Sequence, residues 1–145
     1  MTYTIKQFAT IFNTTEHTLR YYTDIGILPC QRDSGKRRIF NETSVNWMQG
    51  IICLRNCGAS IEDIKEYCQL CLAEESKENL QARYNIILKQ RQEAQRRLEE
   101  AQATVDYINK KARHYEEILA GLSLDDTNPN TWTPAQRPAA HTKHS

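Results

Sequence analysis

The sequence predicts a mainly α-helical chain, with a winged helix-turn-helix head followed by a long coiled-coil dimerisation helix. Three observations carry this reading. Two short amphipathic segments near the N-terminus are separated by the turn Asn13-Thr14-Thr15. A basic turn, Asp33 to Arg38, follows them. From Ser76 to about Ala120 there is neither proline nor glycine, and an apolar seam persists throughout.

The elements follow in order. Thr4 can cap a first helix whose Ile5, Phe8, Ala9 and Phe12 fall on one face. Thr15 can cap a second, which turns Leu19 and Tyr22 inward and stops at Gly26 with Pro29 beyond. Asp33-Ser34-Gly35 signals a turn, and its flanks can pair as a hairpin tipped by Lys36, Arg37 and Arg38: a wing. A third helix is expected from Glu42 to Cys57, burying Val45, Trp47, Met48, Ile51, Ile52 and Leu54, and Gly58 stops it. Ser60 caps a fourth, through about Leu72, that uses Ile61, Ile64, Tyr67 and Leu70.

In the long helix, steps of four and three connect Leu80, Tyr84, Ile87, Arg91, Ala94, Leu98, Ala101, Val105, Ile108, Ala112, Tyr115, Leu119 and Leu122. Only Arg91 interrupts the apolar series. Such a helix would be about 65 Å long and has nothing in its own head to cover the seam, so a second copy is expected to cover it. The expected organisation is therefore 1–73 as the DNA-binding head with two additional helices, 74–122 as the dimerisation helix and 123–145 as a disordered tail. That tail is rich in Pro, Asn, Thr and Ala. Its His141 and His144 read as solvated residues.

The formal net charge is only +1, but residues 1–41 hold six bases against three acids. Four of those bases lie between positions 32 and 38, a local patch able to meet phosphate. No apolar run could span a membrane, and "MTYTIKQFATIF" lacks the apolar core of a secretory signal. A cytoplasmic setting follows, in which the five cysteines are thiols rather than staples. No acid–base pair, phosphate loop or His-containing metal motif suggests an enzyme, and no cofactor is implied.

The second helix of a helix-turn-helix enters the major groove of double-stranded DNA with its N-terminal residues near base edges. Thr15, Glu16, His17 and Thr18 hold those positions here. One turn on, Arg20 can reach a phosphate or a guanine and Tyr21 can donate its hydroxyl to a phosphate, while Tyr22 packs inward. Lys36, Arg37 and Arg38 complete the expected contact set from the wing.

"TLRYYTDIGILP", "SGKRRIF" and "CLRNCGASIEDIKEY" together resemble the MerR family of transcriptional regulators, over roughly residues 1–120. The family wing has Gly, any residue, Arg, any residue, aromatic. Gly35 and Phe40 are one residue further apart, so either Arg37 or Arg38 could be the matching arginine. The resemblance implies an antiparallel homodimer on a near-palindromic promoter. The activated dimer would bend and untwist that DNA so that RNA polymerase can use it.

A cysteine at position 53, before Leu-Arg, further resembles the branch containing the NmlR and AdhR regulators, linked to aldehyde, other carbonyl and nitrosative stress. This implies Cys53 as the sensor thiol. Cys53 and Cys57 share a polar stripe with Asn46, Gln49 and Gly50, which favours access. Cys57, Cys68 and Cys71 are secondary thiols, and Cys30 reads as a small hydrophobe. The loop cysteines of the family's metal sensors are missing after Cys71, and about 25 residues after Ala120 are too few for a drug-binding domain. Two alternatives stay open: a metal-responsive regulator using Cys53, Cys57, Cys68 and Cys71, or an architectural coiled-coil protein without an effector.

Overall fold

The computed structural model describes residues 1–140; the histidines read as solvated, His141 and His144, lie outside them. The order is β1 (Tyr3–Thr4), α1 (Ile5–Ile11), α2 (Glu16–Asp24), β2 (Gln31–Arg32), β3 (Arg38–Phe40), α3 (Glu42–Asn56), α4 (Ile61–Leu72) and α5 (Lys77–Leu119). Two compact units arise, one from Met1 to Gln92 and one from Glu93 onward, with α5 contributing to both.

In the first unit each short helix begins at the residue whose side chain can satisfy its free N–H groups. Thr4 Oγ1 accepts from the Gln7 amide, and the Gln7 side chain returns a bond to the Thr4 N–H, closing a capping box. Thr15 caps α2, Asn41 caps α3 and Ser60 caps α4. Gly26, at φ +80°, lets both Ile27 and Leu28 turn their N–H groups back to the Tyr22 carbonyl, which stops α2.

The wing forms as an antiparallel hairpin with Arg32 opposite Arg38 and Gln31 opposite Ile39. Its other edge is covered by β1, which pairs Tyr3 with Phe40 and Thr4 with Ile39 and which the sequence reading did not anticipate. The sheet order is β1-β3-β2. The pairing brings Phe40 beneath α1, where it stacks on Phe8 with centroids 4.4 Å apart. Around that pair lie Leu19, Ile27, Met48, Ile51 and Ile64, all fully buried. Each contributes about 2 kcal/mol of apolar burial.

α4 and the start of α5 are held by polar side chains at both ends of α4. Near its C-terminus, Asn79 Nδ2 donates to the carbonyls of Leu70 (2.8 Å) and Glu74 (3.4 Å). Near its N-terminus, the buried Asp63 accepts from Lys89 Nζ and from the buried Gln90 Nε2, both at 3.0 Å. Ile86 is buried between these two contacts in sequence.

In the second unit, Arg96 bridges Glu93 and Glu100 along the exposed helix surface. Seam residues Leu98, Val105, Ile108, Tyr115 and Leu119 are all exposed. Near the end of α5, His114 Nε2 meets Asp126 Oδ1 of the segment that follows, and Trp132 Nε1 donates to the Asp126 carbonyl at 2.7 Å. The Asp126 carboxylate raises the pKa of His114, first through that hydrogen bond. The segment whose composition reads as disordered carries two short 3-10 turns, Pro129–Thr131 and Pro134–Gln136. Among the described residues no helix is long and apolar enough to cross a membrane.

Candidate nucleic-acid interface

α2 and the wing border one cleft of about 430 Å³. Arg20 enters it from α2, and Arg32, Lys36, Arg37 and Arg38 enter it from the hairpin, with Asp33 as the acid among them. The cleft thus gathers five of the six bases counted in the first 41 residues.

Asp33 builds the wing tip. Its Oδ1 accepts from the backbone N–H groups of Gly35 and Arg37, both at 2.9 Å, and its Oδ2 from Arg37 Nε at 3.1 Å. These bonds, the Arg37 amide first, hold its carboxyl below the usual carboxylate range. Lys36 adopts φ +59° at the tip, and its carbonyl accepts from an Arg32 guanidinium nitrogen at 2.9 Å. The tip is an ordered turn whose cations project from a fixed backbone.

The two candidate wing arginines differ. The Arg37 side chain is 83% exposed. Arg38 is 17% exposed and returns to α2, with Nε donating to Thr23 Oγ1 at 2.9 Å and NH2 pairing with Asp24 at 2.7 Å. Arg38 therefore fastens the wing to the end of α2.

On α2 itself, Thr15 Oγ1 accepts the Thr18 N–H and donates to the Thr18 hydroxyl. Both threonine hydroxyls serve the cap, whereas His17, Arg20 and Tyr21 are exposed. Arg20 makes a long, exposed bridge to Glu16, 3.7 Å, which a phosphate could replace at little cost. Tyr22 is buried, and its hydroxyl accepts from Arg55 at 3.1 Å.

The cysteines divide by environment. Cys53, Cys57 and Cys71 are exposed, Cys30 is half-buried and Cys68 is buried. Burial first, and the neighbouring Cys71 second, push the Cys68 thiol up to about 11. Asn46, Gln49 and Gly50 are exposed along the same side of α3 as Cys53. Arg55 is bonded to Tyr22, and Arg38 to Thr23 and Asp24. Among the described residues no three His, Cys, Asp or Glu side chains gather to hold a metal ion. The four-cysteine metal site expected as an alternative is therefore not assembled among them.

The sequence reading missed β1, the Arg38 anchor and the Asp63 contacts. Only the last left a local signal, a Ser-x-x-Asp start at Ser60 that resembles a capping box.

Comparison with known proteins agrees with this geometry. AdhR, an HTH-type transcriptional regulator of Bacillus subtilis, is 40% identical over 90 residues, which are 61% of this chain and 62% of AdhR. The chain thus aligns with about three-fifths of that relative's length. The crystal structure of HiNmlR, a MerR family regulator lacking the sensor domain, bound to promoter DNA, superposes with a TM-score of 0.67. It is 26% identical and the match covers 83% of this chain and 94% of that one. A MerR family transcriptional regulator from Bacillus thuringiensis is 28% identical at a TM-score of 0.61, over 79% of this chain and all of that one. All three are described as regulators. The family described as MerR HTH family regulatory protein matches residues 3–71, the stretch that holds the cleft, the wing and the cysteine-bearing helices α3 and α4. Over those residues the chain is similar to the MerR helix-turn-helix domain.

Proposed function

We propose that the protein is a dimeric, DNA-binding transcriptional regulator of the MerR type. It acts in the cytoplasm and senses reactive aldehydes, related electrophiles or nitrosative agents through the Cys53 thiol. In response it remodels a near-palindromic promoter for RNA polymerase.

The observation that carries the DNA reading is the cleft in which Arg20 and the wing bases converge. Phosphate contacts of this kind fix register and supply most of the affinity, while the exposed start of α2 reads base edges. His17 and Arg20 are the side chains that reach bases, and Tyr21 donates to the backbone. Thr15 and Thr18 hold the helix end that presents them. HiNmlR was crystallised on promoter DNA, which supports the same use of this head. Bending a site of this size costs on the order of 1–6 kcal/mol, so a modest change in head geometry can alter promoter shape without releasing the DNA.

The sensing reading rests on Cys53. Its thiol is exposed on α3, the helix that packs against both the wing strand β3 and α4. An adduct there sits where it can tilt the head against the start of the strut. Cys68, buried and protonated near neutral pH, is a poor resolving thiol. Cys57 and Cys71 are the better partners for any disulfide.

In vitro transcription with footprinting tests the reading. Cys53→Ser should keep operator affinity and lose transcription induced by formaldehyde, methylglyoxal or a nitrosothiol, while Cys30→Ser changes neither. Full induction of Cys53→Ser by all three reagents would overturn the thiol switch. Failure to protect any promoter DNA would overturn the regulator reading itself.

A further inference from the structure

Between α3 and α4 lies a second cavity, separate from the basic cleft, of about 230 Å³. Trp47, Ile51, Leu54 and Tyr67 form its walls, and Cys68 and Cys71 line the α4 side. Among the described residues no charged side chain lines it, and Asn46 supplies the one side-chain amide. Such a volume holds on the order of eight to ten non-hydrogen atoms, too few for a peptide helix and right for a small molecule.

Gly50 opens the α3 side. A glycine inside a helix costs about 1 kcal/mol relative to alanine, so its presence calls for a local reason. Crowding is not that reason: a Cβ built on Gly50 meets nothing within 4 Å. The missing side chain instead leaves space over the cavity that Gly50 lines.

We infer that this α3–α4 cavity is a recognition site for small, uncharged, apolar α,β-unsaturated carbonyl compounds, which it presents to Cys71. The inference rests on reading the protein as a thiol-based sensor and adds a second thiol with a different selectivity. The walls hold the apolar body by burial and aromatic contact. The Asn46 amide can donate to the carbonyl oxygen. Cys68, protonated, contributes polarizable packing rather than a nucleophile. Cys71 is exposed to solvent at the rim. Its thiolate Sγ bonds to the β-carbon, the C=C pair shifts to form an enolate, and water protonates the α-carbon. Nothing leaves and no oxidant is needed.

The adduct would form beside the Leu70 carbonyl, the group that Asn79 of α5 holds at 2.8 Å. Occupation of the cavity is thereby linked to the α4–α5 junction.

The test uses full-length Cys53→Ser protein, so that its result is independent of the Cys53 reading. Peptide mass spectrometry follows Cys71 modification by cinnamaldehyde, which carries a ring, and by acrolein, which has the same reactive group without one. Gly50→Leu should fill the cavity without backbone strain. It should slow cinnamaldehyde addition at Cys71 about tenfold and leave acrolein addition unchanged, because only the ring needs the walls. Circular dichroism checks that the helices are retained. An unchanged cinnamaldehyde rate in Gly50→Leu, equal slowing of both reagents, or cinnamaldehyde addition confined to other cysteines overturns the proposal.

Discussion

Arg38 turns its guanidinium back onto α2, where Thr23 and Asp24 hold it, while Arg37 stands outward at the wing tip on the Asp33 carboxylate. Their expected effects on substitution therefore separate. Arg37→Ala should weaken operator binding and reduce the slope of log affinity against log salt by about one, because one fewer counterion is released. It should leave the melting temperature nearly unchanged, since its bridge to Asp33 is exposed. Arg38→Ala should lower the stability of the head by about 1 kcal/mol, through the loss of charge-assisted bonds at a largely covered site. Fluorescence-anisotropy titrations at several salt concentrations, paired with thermal melts, distinguish the two. Equal salt slopes for Arg37→Ala and wild type would remove Arg37 from the phosphate contacts. The sequence leaves either arginine open as the family match because spacing alone does not say which one turns inward. That depends on Thr23 and Asp24, fourteen or fifteen positions away.

At the scale of elements, α4 and α5 are joined by polar contacts rather than by apolar packing alone. Asp63 is the centre of one of them. Lys89 first, then Ser60 and Gln90, hold its carboxyl below the usual carboxylate value of 3.8 despite its burial. A carboxylate with a lowered folded pKa adds stability that is complete above the unfolded value and is lost as pH falls through the folded one. Asp63→Ala should cost about 2 kcal/mol in urea unfolding, because it leaves the buried Gln90 amide without its acceptor. Asp63→Asn should flatten the fall in stability as pH drops below the usual carboxylate value, the side on which the wild-type group takes up its proton. An identical acid profile for Asp63→Asn and wild type would mean that this carboxylate does not carry the linkage. Helix starts were legible because Thr4, Thr15 and Ser60 act within three residues of their own position. The Asp63 contacts span 26 and 27 residues, and β1 has only two, so neither leaves a periodic signal. The basic cleft was readable because its charges cluster in sequence. The α3–α4 cavity was not, because its walls look like ordinary core positions until two helices enclose it.

At the scale of the whole molecule, α5 carries more apolar surface than one chain covers. Leu98 is 63% exposed and Val105 50%, in a helix of 43 residues without proline or glycine. The buried positions of α5 within the head, Asn79, Ile86 and Gln90, lie off the seam, so packing on the head leaves the heptad positions unused. A seam that keeps its repeat while staying exposed is what a two-chain coiled coil requires, and a solvated helix has no reason to retain it. Leu98 and Val105 flank its midpoint near Ala101, so in an antiparallel pair each approaches residues of the same central stretch on the partner. Replacing both with aspartate would bury up to four like charges at that interface, each too costly to desolvate without a counter-ion. The double variant Leu98→Asp, Val105→Asp should therefore sediment as a monomer. Its head should remain folded, because both sites lie outside Met1–Gln92. Its operator affinity should fall by orders of magnitude, since two linked heads gain an effective concentration that separate heads lack. A double variant that stays dimeric and binds DNA normally would show that the seam is not the interface and that another surface joins the copies.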